Sequence, residues 1–247
     1  KRRNKFKIRG FLKVNNYGID IWSDDNFMIE DGLAKINYDC KPSLISIVKD
    51  IRKQDFKGPL LLRFPHITEK QVNTLYNTFN SSIKEYDYKG TFNAVFPLKV
   101  NQLPNFIHPL INEGKKFNYG LEAGSKAELV IAMTYNNVGS PITVNGFKDK
   151  EMIHLGFIAK SMGHNITIII EGLNELEIII EVLNETKMEC PNIGLRVRLH
   201  SGGSGLWAKS GGINSKFGLT STEILEAYEL MEDNNLVKHL TMIHFHI

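Results

Sequence analysis

Lys99 stands at the end of an apolar run, Phe92-Asn93-Ala94-Val95-Phe96-Pro97-Leu98, that reads as a buried strand. Burying an ammonium is costly, so such a lysine pairs, loses its proton or becomes covalently occupied. With a lowered pKa it is a nucleophile that can hold a carbonyl as a Schiff base. The plainer alternative is a lysine that points from the strand end into water. His244 and His246 lie two apart on a strand and share a face. That spacing serves a metal site, or a single imidazole stacked on an aromatic ring. The alternative is one packed histidine and one satisfied by a hydrogen bond, and no Asp, Glu or Cys completes a metal set by spacing. Arg196 and Arg198 alternate in the same way. They either pair with Glu122 or Glu171 on neighbouring strands, or one of them meets a phenolate or carboxylate of a ligand. Glu122 can orient that arginine or touch the ligand. Glu128 is explained by Ser125 three residues earlier, as a capping box.

These side chains need a frame that brings them together. From residue 91 onward the chain alternates strand and helix, with strands expected over residues 92–100, 118–122, 141–145, 166–171, 193–199 and 240–247. Ser125-Lys126-Ala127-Glu128, Asn174 and Thr220-Ser221-Thr222-Glu223 open three of the helices. Near-continuous apolar strands separated by helices imply a parallel sheet covered by helices. A doubly wound open sheet and a (β/α)8 barrel both fit. Lys99, Glu122, Asn145, Glu171, Arg196 and His246 decide for the barrel, because each falls at or near the carboxyl end of a successive strand. Around a barrel those ends converge on one mouth. The expected fold is therefore α/β, a (β/α)8 TIM-type barrel with about six strand–helix units present. An open six-strand barrel would expose two apolar edges, so the chain is expected to be the first part of a longer one.

Upstream, Tyr17-Gly18-Ile19-Asp20-Ile21-Trp22 alternates like a strand and is followed by turn residues and Phe27-Met28-Ile29. A helix carrying Leu44, Ile47, Val48 and Ile51 follows Pro42. Leu60-Leu61-Leu62-Arg63-Phe64 reads as a short strand, and Thr68-Glu69-Lys70-Gln71 as a capping box ahead of Val72, Leu75, Tyr76 and Phe79. The expected organisation is a basic extension over residues 1–16, an N-terminal β segment and helix over 17–65 contributing to a second β domain, and the barrel over 66–247. Between the fifth strand and its helix lies a glycine- and serine-rich loop, His200 to Leu219. Its glycines and lysines lack Walker spacing. Its length and the apolar Trp207 and Phe217 suggest a lid or wall.

Composition is that of a globular protein, 42% apolar and 23% charged over 247 residues. The net charge of +3 conceals seven Lys or Arg and no acid in residues 1–13; removing those seven leaves −4 for the remainder. The body has no basic patch interleaved with aromatics, so no nucleic-acid partner is expected. No apolar run is long enough to span a bilayer, so no membrane partner is expected. Cys40 and Cys190 are far apart, without metal-type spacing, and suggest a reducing, cytoplasmic compartment.

Phe96-Pro97-Leu98-Lys99-Val100-Asn101-Gln102, Tyr119-Gly120-Leu121-Glu122-Ala123-Gly124-Ser125-Lys126-Ala127-Glu128, Ser215-Lys216-Phe217-Gly218 and His244-Phe245-His246-Ile247 together resemble the fold type III decarboxylases that use pyridoxal phosphate. Asn145-Gly146-Phe147-Lys148-Asp149, the Trp207 loop and Tyr17 to Trp22 resemble, within that group, the bacterial biosynthetic arginine decarboxylases. The resemblance implies that Lys99 forms the internal aldimine and that His246 stacks on the cofactor ring. It further implies that Arg196 lies near the cofactor and Glu122 beside it. It implies pyridoxal 5'-phosphate as cofactor, decarboxylation of L-arginine to agmatine in polyamine biosynthesis, and a homo-oligomer, dimer or tetramer. The family is described as magnesium-dependent, and no Mg2+ ligand is assigned in this sequence. Decarboxylases of lysine, ornithine or diaminopimelate share the core motifs, and a non-catalytic barrel relative acting as a binding module is a further alternative.

Overall fold

The structure, a computed structural model, describes residues 18–199 and 217–246. It divides into two compact units, Lys1–Ile67 and Thr68–Ile247.

In the first unit the described residues 18–22 of the alternating run form no strand. They form a single helical turn, α1 (Ile19–Trp22), entered through Gly18 at φ 67° and closed by the Ser23 amide on Ile19 O at 2.9 Å. Local turn geometry at Gly18 outweighs a two-residue periodicity carried over only six residues. A hairpin follows, β1 (Phe27–Glu30) against β2 (Leu33–Ile36), pairing Phe27 with Ile36 and Glu30 with Leu33. Asp31 and Gly32 both have positive φ, as its tight turn requires. α2 (Leu44–Arg52) is capped by Ser43, whose Oγ accepts from the Ser46 amide at 3.1 Å. Leu60 to Phe64 forms no strand; Leu61 and Arg63 are exposed, while Phe64 packs edge-on against the Phe27 ring at 5.4 Å.

α3 (Pro65–Glu85) begins at Pro65, ahead of the expected capping box at Thr68, because proline suits the first helical position. Only Val72 and Tyr76 of its expected stripe are buried; Leu75 and Phe79 are exposed. The chain then runs β3 (Val95–Pro97), α4 (Pro104–Gly114), β4 (Gly120–Ala123), α5 (Lys126–Tyr135), β5 (Pro141–Val144), α6 (Lys150–Ser161), β6 (Asn165–Ile170), α7 (Leu173–Thr186), β7 (Asn192–Arg196), α8 (Ser221–Asp233) and β8 (Leu240–His244). Strands β3 to β8 pair in sequence order, every pair parallel. This is the strand–helix succession of a TIM-type barrel.

The register shows which side chains share a face. Glu122 pairs with Thr143, Thr143 with Thr167, Ile169 with Gly194, and Arg196 with His244. Leu121, Ala123, Ile142, Val144 and Ile166 alternate with that set and pack in one buried cluster with residues of α3, α4 and α5. Ile168, Ile170, Ile193 and Leu195 do the same in a second cluster with α6, α7 and α8. The helix-facing layer is thus wholly apolar, and each fully buried Leu or Ile contributes about 1.5–3 kcal/mol. The opposite face of the sheet carries the polar residues.

Candidate active site

Six strand ends present a polar row. Lys99 lies two residues beyond β3, Glu122 within β4, Asn145 just after β5, Glu171 just after β6, Arg196 at the end of β7 and His246 two beyond β8.

The strand before Lys99 is shorter than expected. It ends at Pro97, and Lys99 sits in a turn closed by the Val100 amide on Pro97 O at 3.0 Å. Leu98 is fully buried and its amide donates to Glu122 O at 2.9 Å, so the turn is fixed to β4. Lys99 itself is exposed, and so is His246. Both act on Glu122. Burial pushes the Glu122 carboxyl above the usual carboxylate range; Lys99, a hydrogen bond from the Asn145 side chain, and His246 pull it back. Glu122 is therefore the group on which Lys99, Asn145 and His246 converge.

Glu128 does more than cap α5. Its amide meets Ser125 Oγ at 3.3 Å, but its carboxylate accepts from the Gly124 amide at 2.7 Å and from Gln102 Nε2 at 3.0 Å. It ties the exit of the Lys99 turn to the exit of β4.

Arg196 pairs with Glu171 rather than Glu122. Nη1 lies 2.7 Å from Glu171 Oε1, with 17% of the arginine side chain and 4% of the glutamate side chain exposed. The guanidinium also lies over the Phe217 ring, 5.5 Å from its centroid. Arg198 turns to the Gly218 carbonyl, with Nη2 at 2.9 Å. Gly218, at φ 90°, donates to Glu171 O, and the following Leu219 amide donates to Arg196 O at 2.7 Å. A Cβ at Gly218 would sit 3.2 Å from Arg196 O and from the Arg198 amide nitrogen, so glycine is required there. His200 to Lys216, with Trp207, lies outside the described residues.

His244 is not equivalent to His246. Burial, then the Arg196 charge, hold its imidazole below the usual histidine range, against the pull of Glu171. Its Nδ1 is buried without a partner among the described residues, as are Asn145 Oδ1, Thr143 Oγ1 and Glu171 Oε2. Among the described residues no three His, Cys, Asp or Glu side chains gather as a metal set. Cys40 is exposed and Cys190 buried, its thiol pushed up to about 12 by desolvation.

Two charged residues beside this row, Lys148 and Glu175, are not singled out as site residues by the sequence. Lys148 is wholly buried, with Nζ 3.0 Å from Glu175 Oε1. A lone lysine after Gly146-Phe147 and a glutamate in the first turn of a helix are individually ordinary. Only the placement of α7 beside the β5 exit joins them.

The sequence profile of the pyridoxal-dependent decarboxylases, pyridoxal binding domain, matches residues 70–247. A biosynthetic arginine decarboxylase of Bacteroides thetaiotaomicron is 39% identical over 236 residues, covering 94% of this chain and 37% of that protein. One from Prochlorococcus marinus is 38% identical over 240 residues, covering 95% and 37%. The crystal structure of the biosynthetic arginine decarboxylase of Campylobacter jejuni is 58% identical with a TM-score of 0.85, over 94% of this chain and 37% of that one. A diaminopimelate decarboxylase structure from M. jannaschii, 23% identical with a TM-score of 0.67 over 90% and 48%, shares the fold. The chain spans little more than a third of the length of the curated relatives it matches. With the family profile covering residues 70–247, this chain belongs to the pyridoxal-dependent decarboxylases and carries their pyridoxal-binding domain.

Proposed function

We propose that the chain is the pyridoxal-binding part of an arginine decarboxylase, which releases carbon dioxide from L-arginine and leaves agmatine. The observation that carries this reading is the polar row on six consecutive strand ends, in a chain 58% identical to the C. jejuni enzyme. The residues present fit pyridoxal phosphate. The Lys99 amine is open to a carbonyl, and the buried polar atoms of Asn145, Glu171 and His244 lack partners among the described residues.

On this reading Lys99 would be the covalent attachment point, and His246 would help to hold the cofactor. Glu122 keeps its carboxyl between Lys99 and His246, where it holds or releases a proton. Arg196, fixed by Glu171, presents a guanidinium to the polar edge of the ligand. Pyridoxal phosphate, when bound, supplies an aldehyde for attachment and a ring that withdraws the electron pair left as carbon dioxide departs. The exposed Lys99 Nζ would also be placed to carry a proton to or from the substrate.

Arginine is favoured over other basic amino acids because the more similar relatives carry that name, whereas the diaminopimelate decarboxylase structure is 23% identical. The same reading makes the whole enzyme a cytoplasmic homo-oligomer, dimer or tetramer. It also gives residues 17–65 to a second β domain.

The test uses the full-length protein loaded with pyridoxal phosphate. It is expected to show the visible absorption of bound cofactor, to lose it on Lys99→Ala, and to release carbon dioxide from arginine faster than from lysine or ornithine. An unchanged spectrum in the variant removes Lys99 from its role. Faster release from lysine removes the substrate assignment.

A further inference from the structure

Lys148 is an ammonium with no solvent contact, and its partner Glu175 has a side chain 5% exposed. Such a pair is not explained by stability, because apolar residues of similar volume usually replace a buried ion pair at no loss. Its value lies in where its hydrogen bonds end. Lys148 Nζ also donates to the Gly146 carbonyl. Glu175 Oε1 accepts from the Lys148 amide at 3.2 Å, and Oε2 from the Glu171 amide at 2.8 Å. Glu171 Oε1 in turn accepts from the Gly146 amide at 3.4 Å and from Arg196 Nη1 at 2.7 Å. The bonds close a circuit through the exit of β5, the end of β6 and the first turn of α7, to which Arg196 at the end of β7 is joined through Glu171. No other group in it is a free cation: Arg196 is committed to Glu171, and Lys148 is sealed from the mouth.

We infer that Lys148 and Glu175 are a buried positioning pair that locks the Glu171 backbone and thereby holds Glu171 against Arg196 at the barrel mouth. The pair touches no ligand. It sets the direction from which the Arg196 guanidinium meets one, and so rests on the reading that the mouth takes pyridoxal phosphate. Glu175 belongs to α7, but the bonds of the pair run on to the strand ends. These bonds reach Gly146, Glu171 and, through Glu171, Arg196.

The experiment compares full-length wild type with Lys148→Met/Glu175→Gln, which removes both charges together and strands neither. Glu175→Gln alone, which keeps an acceptor for the Lys148 and Glu171 amides but strands the Lys148 charge, is the second variant. Three quantities are read: thermal midpoint, amide exchange of segments 145–149 and 170–175 without cofactor, and the Kd for pyridoxal phosphate by absorbance titration. The double variant is expected to melt close to wild type while exchange in both segments quickens. Its Kd should rise by about tenfold, equivalent to about 1.4 kcal/mol of lost contact. For arginine, kcat should fall with KM nearly unchanged. A folded double variant whose exchange and Kd stay within twofold of wild type overturns the inference. So does a double variant that fails to fold while Glu175→Gln folds with wild-type Kd, since the pair would then support only the core. If wild type takes up no pyridoxal phosphate, the functional reading fails, and the exchange comparison still judges the positioning pair.

Discussion

Arg196→Ala is expected to destabilise the folded protein by about 3 kcal/mol. Removing one partner of a buried ion pair costs roughly 3–5 kcal/mol, because the other charge is left without compensation. Here Glu171 is the stranded partner, with 4% of its side chain exposed and the Gly146 amide its remaining donor. Arg196 is 17% exposed, which places the loss at the lower end of that range. Lys148 cannot swing in as a substitute, since Glu175 and the Gly146 carbonyl hold it. Glu171→Gln leaves an acceptor for Arg196, and Arg196 can recover some water; that loss is about 1–1.5 kcal/mol. In Arg196→Ala/Glu171→Gln no charge is stranded, so the double variant should lose about 2 kcal/mol rather than the sum of the singles. The coupling energy is then about 2 kcal/mol, well above the roughly 0.5 kcal/mol seen for independent sites. Urea unfolding of the full-length protein without cofactor, followed by far-ultraviolet circular dichroism with all four slopes checked for equality, measures it. Coupling under about 0.5 kcal/mol would refute the idea that Glu171 is held as a charge by Arg196.

A Cβ at Gly120 would stand 2.0 Å from Pro141 O, a backbone atom of the neighbouring strand that cannot move aside. Gly120→Ala should therefore cost about 3 kcal/mol, at the top of the usual overpacking range, whereas Gly124→Ala, which meets only Glu128 Oε2 at 3.5 Å, should unfold near the wild-type urea midpoint. Equal midpoints for the two variants would contradict the β4–β5 packing. His244 supplies a pH dependence. Its folded-state pKa is depressed by burial and Arg196, so its contribution to stability is complete above its unfolded value near 6.5 and is lost as pH falls through the lower folded value. Thermal midpoints between pH 5 and 8 should fall on the acid side for wild type and fall less steeply for His244→Asn. His239, also depressed by burial, leaves a residual slope in the variant. Parallel curves would show that His244 does not titrate as a buried group.

The barrel was legible because its strands carry two signals at once. Ile166 to Ile170 and Ile193 to Leu195 are apolar on the helix-facing positions, while Glu122, Asn145, Glu171 and Arg196 interrupt the pattern at each carboxyl end. A run of strands that repeats such an interruption points to convergence at one mouth. The expected strands were too long at their ends, notably 92–100 and 240–247, because apolar residues continue past the last ladder hydrogen bond into turns. Residues 18–22 and 60–64 failed for a different reason. Alternation or apolar content over five or six residues specifies a strand only if a partner strand accepts its bonds, and neither segment has one.

The pairing of Arg196 illustrates what a one-dimensional reading leaves open. Glu122 and Glu171 were equal candidates by sequence, and both share its face of the sheet. Order in the sheet separates them. Glu171 follows β6, the immediate neighbour of β7, whereas Glu122 lies on β4, two strands further along. Strands in a parallel sheet stand just under 5 Å apart, so a guanidinium reaches the adjacent strand and not the third one away. That separation leaves Glu122 to Lys99 and His246, which follow the two edge strands of the sheet, and makes Glu171 the carboxylate partner of Arg196. One acid is thereby shared by two exposed side chains and the other is neutralised by a largely buried arginine. Two carboxylates on one face thus acquire different chemistry, and this is the separation a site needs if one of them is to exchange protons while the other only holds an arginine in place.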